Sequence, residues 1–182
     1  LRTVNKDRVK GIVTPDYMPF DDFDVFSIVQ DYLGRYGLDH DMEVVTKNDE
    51  FTRVRMIIKN IEGNMGMADE NGLDNDVVFG GFEITNSEIG SKMGINSLMY
   101  RQVCTNGMMA LISEEDNKEV FNKRGKDFNP FSKIPAMNRA LTNTIEQSDN
   151  GIMLFKRTKG IEVDDPKREL RKIGKRYNLG VN

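Results

Sequence analysis

Tryptophan is absent from this chain, cysteine and histidine occur once each, and only five prolines interrupt it. A lone cysteine, Cys104, excludes an intrachain disulfide, and one histidine, His40, leaves no Cys/His cluster for structural zinc. A Cys–His nucleophile pair has only Cys104 and His40 to draw on. His40 stands between Asp39 and Asp41 in what reads as an exposed loop, and Cys104 reads as a small buried hydrophobe. No apolar run approaches the roughly 18 residues needed to cross a bilayer, and no secretory leader is visible. The phosphate-cradling patterns GxxxxGK[ST] and GxGxxG are missing. Acidic residues are plentiful, yet the Asn60–Asp76 stretch lacks the EF-hand spacing and its closing glutamate, and no Asp/Glu/Lys arrangement of a nuclease stands out. The expectation is a protein without enzymatic activity, cofactor or metal, in a reducing cytoplasm.

What remains is a chain of 182 residues with 38% hydrophobic and 30% charged side chains, enough to bury one core under a well-solvated surface. It opens on Leu1 rather than methionine, so we expect one α+β domain over residues 1–182 belonging to a longer chain. Eleven methionines serve best as adaptable core filling.

Local patterns place the elements. Arg8–Thr14 reads as a strand that ends at Pro15-Asp16-Tyr17-Met18-Pro19. Asp21 or Asp22 then caps a helix through Tyr36, with Val25, Val29, Tyr32 and Tyr36 on one stripe, Phe26 and Leu33 beside it, and Gly37 as its stop. Met42–Thr46 and Phe51–Ile58 read as strands. In the second, Arg53 and Arg55 alternate with Val54 and Met56 and face solvent. Asn60–Asp76, rich in Gly, Asn and acid, reads as a long loop. Val77–Thr85 is the next strand, and the paired Gly80 and Gly81 inside it require a bulge or a close backbone approach. Leu98–Cys104 and Met108–Ile112 flank Asn106-Gly107 as a hairpin, ahead of the competing reading of Ser97–Ile112 as a helix. Ile134–Gln147 is helical with Pro135 in its first turn, and Ile152–Phe155 is too short to type. Asp165-Pro166 caps a basic C-terminal helix, residues 165–179. Together these give an α+β fold: a mainly antiparallel, curved sheet with helices packed on one face.

Two polar clusters punctuate the central stretch, Asn86-Ser87-Glu88 and Thr105-Asn106-Gly107. Both read first as structural turns, with Asn86-Ser87-Glu88 capping the segment after it. Arg101 braces these turns or contacts phosphate. The spacing Asn86-Ser87-Glu88-x-Gly90 and then Tyr100-Arg101-x-x-Cys104-Thr105-Asn106-Gly107-Met108 resembles the phage/plasmid-like proteins catalogued as domain of unknown function 932. Gly11-Ile12-Val13-Thr14-Pro15-Asp16-Tyr17 is similar to that family's entry segment, and the likeness spans Val9 to Met153. Where many relatives carry an Arg-His pair, this chain has Lys123-Arg124-Gly125-Lys126. The resemblance implies a mobile-element setting, in a bacterial host, and no defined chemistry.

Charge supplies the clue to a partner. The net charge is −3, yet residues Lys156 to Asn182 hold nine Lys/Arg against four Asp/Glu, leaving seventeen against twenty-five before them. Lys167, Arg168, Arg171, Lys172, Lys175 and Arg176 wrap the C-terminal helix with Glu169 as the sole acid among them, beside an apolar edge of Leu170, Ile173 and Tyr177. Such single-signed charge repels itself unless a polyanion or an acidic surface lies near. With Lys156, Arg157, Lys159, Lys123, Arg124 and Lys126 it makes a track for nucleic acid, and Tyr100, Phe79 or Phe82 are the rings on which bases would stack. The functional expectation is a phage or plasmid DNA-metabolism protein that binds single-stranded DNA as a homo-oligomer, in its sharpest form a strand-annealing recombination protein, with no membrane partner. The alternative is a virion or host-takeover protein that works by protein–protein contact.

Overall fold

The computed structural model describes residues 2–4, 8–15, 17, 19–48, 51–64, 77–89, 92–101, 108–111, 119–122, 133–158 and 161–176. Strands β1 (Arg2–Val4) and β2 (Arg8–Gly11) form a small antiparallel pair. Helix α1 (Asp22–Arg35) comes next, then four long strands, β3 (His40–Lys47), β4 (Thr52–Asn64), β5 (Val77–Asn86) and β6 (Lys92–Arg101). Two short strands, β7 (Met108–Leu111) and β8 (Glu119–Asn122), precede helices α2 (Ile134–Thr158) and α3 (Pro166–Arg176). Every pairing in the main sheet is antiparallel, in the order β3-β4-β5-β6, with β7 and β8 both against the far side of β6. The fold is α+β. No helix among the described residues is long and apolar enough to cross a membrane.

The two-residue period of the strands sorts side chains by face. Val54, Met56 and Ile58 of β4, Val78, Phe82 and Ile84 of β5, and Met93 and Ile95 of β6 are buried under the helices. From α1 come Val25, Val29, Tyr32 and Leu33, and from α2 Met137, Ala140, Leu141 and Ile152. Tyr32 Oη and Thr142 Oγ1, 2.7 Å apart, tie the two helices together. Each fully buried aliphatic contributes about 1.5–3 kcal/mol, so this single layer supplies most of the stability.

The paired glycines realise both expectations. A Cβ on Gly80 would lie 2.4 Å from Ser148 Oγ and one on Gly81 would lie 2.1 Å from the Met56 carbonyl oxygen, so only hydrogen fits at either. Ser148, buried on α2, accepts a hydrogen bond from Gly81 N–H at 2.7 Å and donates to Leu98 O at 2.9 Å. The bulge sits opposite, in β4, where the register jumps from Ile58↔Gly80 to Glu62↔Phe79.

Several expectations are corrected. Asn60–Asn64 is not loop but part of β4, through its bulge and beyond it, and 65–76 lies outside the described residues. His40 is not in a loop; it begins β3, with Nδ1 3.0 Å from Leu38 O. Ile152–Phe155 belongs to α2, which runs eleven residues past Gln147. The basic helix is described over Pro166–Arg176, and 177–179, with Tyr177 of its expected apolar edge, lie outside the described residues. The hairpin wins over the helix at Ser97–Ile112: β6 starts as early as Lys92 and pairs with β7 from Leu98↔Leu111 to Arg101↔Met108. Its turn, with Cys104, Thr105, Asn106 and Gly107, lies outside the described residues.

Asn86 clamps an earlier part of the chain. Fully buried at the end of β5, it donates through Nδ2 to Phe20 O at 3.3 Å and to Asp22 Oδ1 at 2.8 Å. Its cross-strand neighbour Thr52 donates to Asp22 Oδ2 at 2.6 Å. The carboxylate at the start of α1 is thereby pinned to the sheet. Close by, Tyr17 Oη donates to the Glu88 carbonyl oxygen.

Candidate functional site

The face of the sheet away from α1 and α2 carries the alternate residues. Phe82, one of the three rings considered for stacking, points the other way and is wholly buried in the core. Phe79 and Tyr100 remain. They are direct partners across β5 and β6, both half-buried, and both line a concavity of about 400 Å³ with Asp41, Ile57, Lys59 and Glu62. The bulge in β4 shapes this concavity. It interrupts the ladder with β5 between Ile58 and Glu62, while on the β3 side the Asp39 carbonyl accepts from Lys59 N–H at 2.8 Å. Asp39 N–H in turn donates to Asn60 Oδ1 at 2.6 Å. Bulges re-aim side chains in this way.

Electrostatically the concavity is mixed. Lys59 Nζ lies 2.9 Å from Asp41 Oδ1. Hydrogen bonding to Asp41, then the charges of Asp39 and Asp41, hold the Lys59 ammonium above the usual lysine range, so it stays charged at any physiological pH. Lys156, in the last turn of α2, donates to the backbone oxygen of Glu62 at 3.2 Å. Two rings and Ile57 offer flat apolar surface, the carboxylates of Asp41 and Glu62 accept hydrogen bonds, and Lys59 donates them. That combination suits a planar heterocycle with exocyclic amine and carbonyl groups. Among the described residues no group of three or more His, Cys, Asp or Glu is arranged to hold a metal.

Farther along the same face, Arg53 and Arg55 are not the solvated pair that their alternation implied. Glu83 stands between them, its side chain only 9% exposed. Arg55 Nε donates to Glu83 Oε2 at 3.2 Å, and Arg55 Nη1 lies 3.7 Å from Glu43 Oε2. Arg53 Nε lies 3.5 Å from Glu83 Oε1, within ion-pair range but without hydrogen-bond geometry. These guanidinium groups are engaged with carboxylates.

The basic residues fall into four groups. Lys167, Arg168, Arg171, Lys172, Lys175 and Arg176 are all exposed on α3, whose only buried residue is Gly174. Lys172 pairs with Glu169 at 2.6 Å, and Asp165 Oδ1 caps the helix by accepting from Arg168 N–H at 3.0 Å. Lys156 and Arg157 are exposed at the end of α2, Lys156 next to the ring-lined concavity. Lys123, Arg124, Lys126 and Lys159 lie outside the described residues. Arg101 is half-buried at the end of β6, paired in register with Val78 and Met108. Ser87 and Glu88, half-buried after β5, belong to the joint with Tyr17.

Sequence reasoning missed Ile57, Lys59, Asp41 and Glu62. Ile57 was readable, since it alternates in phase with Arg53 and Arg55. Glu62 and Lys59 were hidden because a Gly- and Asn-rich composition disguised the end of β4 as loop. No family model, curated protein or solved structure matches this chain, so the likeness to the phage/plasmid-like proteins rests on its short motifs alone.

Proposed function

We propose that this protein binds single-stranded nucleic acid, with a base stacked on Phe79 and Tyr100 and the phosphates held by lysines and arginines outside the concavity. The observation that carries the reading is the half-buried cross-strand ring pair, in a hollow with Lys59 and with Lys156 at its rim. Single-strand binders combine such stacking rings with cations that track the backbone, because every base has a π-face and every phosphate a charge. Carboxylates inside the hollow repel phosphate, so the concavity takes a base rather than the backbone. In the mobile-element setting implied by the motifs, this chemistry serves strand annealing in phage or plasmid DNA metabolism.

Anisotropy of a labelled oligonucleotide tests it. Wild-type protein binds single strands at low salt more tightly than duplex, and Tyr100→Ala weakens binding by about 1–3 kcal/mol, the worth of one stacked base. Equal affinity of Tyr100→Ala and wild type would remove the stacking site. Absence of binding at low salt would remove the whole reading. A contact protein is the second reading, and the observation in its favour is an exposed apolar groove between α1 and β3.

A further inference from the structure

At the free side of β3 the strand and α1 diverge. They leave a groove of about 520 Å³ lined by Phe23, Phe26, Gln30, Met42, Val44 and Val54, among others. Phe23 is 81% exposed and Met42 and Val44 are each 54% exposed, although both strand residues lie in register with core residues of β4. The groove is the uncovered margin of the hydrophobic core. Asp22 lines the groove beside Phe23, with Asp21 and Asp24 next to them in sequence at the start of α1, against Lys47 as the one cation lining it among the described residues. Along α1, the position after Gln30 on the same stripe is Gly34, and a Cβ there would meet nothing within 4 Å.

Helix α3 is the reciprocal surface. Leu170 and Ile173 lie one turn apart and are 57% and 47% exposed. At 100° per residue they form a narrow edge, with Lys167 and Arg176 on its flanks and Arg168, Lys172 and Lys175 on the opposite side. A basic helix with an apolar edge fits an apolar groove with an acidic mouth, the helix-in-groove mode of recognition. Among the described residues groove and edge are both open, and neither fills the other within one chain.

We propose that α3 of one copy docks its Leu170–Ile173 edge into the α1/β3 groove of a second copy. Two different patches meet, so the contact is heterologous and propagates into a ring or a filament. The outward cations of successive α3 helices then fall on one continuous surface. The proposal goes beyond nucleic-acid binding and does not rest on it, because assembly is read without oligonucleotide.

Sedimentation velocity on two variants decides it. Phe23→Ser with Met42→Ser spoils the groove, and Leu170→Ser with Ile173→Ser spoils the edge; all four positions are exposed, where substitutions leave folding nearly untouched. Wild type is expected to grow from monomer to larger species with concentration, and less so in high salt. Each variant alone stays monomeric. An equimolar mixture of the two restores one intact groove and one intact edge, giving two-chain complexes and nothing larger. A monomeric wild type at every concentration overturns the proposal and assigns the groove to another protein. So do variants that assemble as wild type does, or a mixture that stays monomeric. Assembly without oligonucleotide binding would sink the stacking proposal and leave this one standing; binding by a monomer does the reverse.

Discussion

Asn86 and Ser148 each join pieces of chain that are distant in sequence, and each does so with a buried polar atom. Asn86 Nδ2 satisfies Phe20 O and one oxygen of Asp22, whose other oxygen is taken by Thr52. Asn86→Ala strips that half-buried carboxylate of a donor, and loss of such a partner costs about 1–3 kcal/mol. The urea midpoint should fall by that amount divided by the slope, with the slope itself unchanged. Ser148→Ala orphans the Gly81 N–H inside the sheet–helix contact, and the same roughly 1–3 kcal/mol is expected. Gly81→Ala is worse, because its Cβ meets rigid backbone, the Met56 carbonyl, instead of a side chain that can swing aside. It should unfold at lower denaturant than Ser148→Ala. If Gly81→Ala equals wild type in a melt, β4 and β5 do not approach closely enough to exclude a methyl group.

Elements show which signals are local and which are not. Helix α1 was readable end to end because its start and stop cues, acids and Gly37 (φ +63°), lie within a few residues, and the start of α3 was readable from Asp165-Pro166. The C-terminal half of α2 was hidden by Ser148-Asp149-Asn150-Gly151, which looks like a turn. There Ser148 and Gly151 are buried, small side chains that let the helix lie close on β5 and β6. Packing, invisible to local pattern, decided the element. The same holds for β4, where Asn60 in the bulge is held by Asp39, 21 residues earlier. The ring pair was half readable: alternation put Phe79 and Phe82 on opposite faces, but only the register set Tyr100 beside Phe79. Helix α3, with little packing of its own, depends most on its cap. Asp165→Ala should cost about 1 kcal/mol locally, roughly a fivefold faster amide exchange in α3, with core amides unchanged. Equal protection in the variant would mean that packing through Gly174, not the cap, holds the helix.

At the scale of the molecule the proposed binding requires a chain of net charge −3 to attract a polyanion. The charges are separated: α1 carries three acids and one cation, and that cation pairs with Asp31, whereas α3 carries six cations and one acid. The proposed attraction at α3 and the proposed stacking at Phe79–Tyr100 are physically distinct and would leave distinct marks on a salt titration. Each phosphate contact on a single strand contributes about 0.7 to the slope of log affinity against log salt. Replacing Arg168, Arg171, Lys172 and Lys175 with Gln should therefore flatten that slope by roughly 3 if all four contact phosphate. Tyr100→Ala should lower affinity at every salt concentration by about 1–3 kcal/mol while leaving the slope unchanged, because a stacked base releases no counterions. If the α3 variant keeps the wild-type slope, its cations face protein acids, such as those at the mouth of the α1/β3 groove, and sedimentation in rising salt would then show the assembly, not the oligonucleotide, giving way.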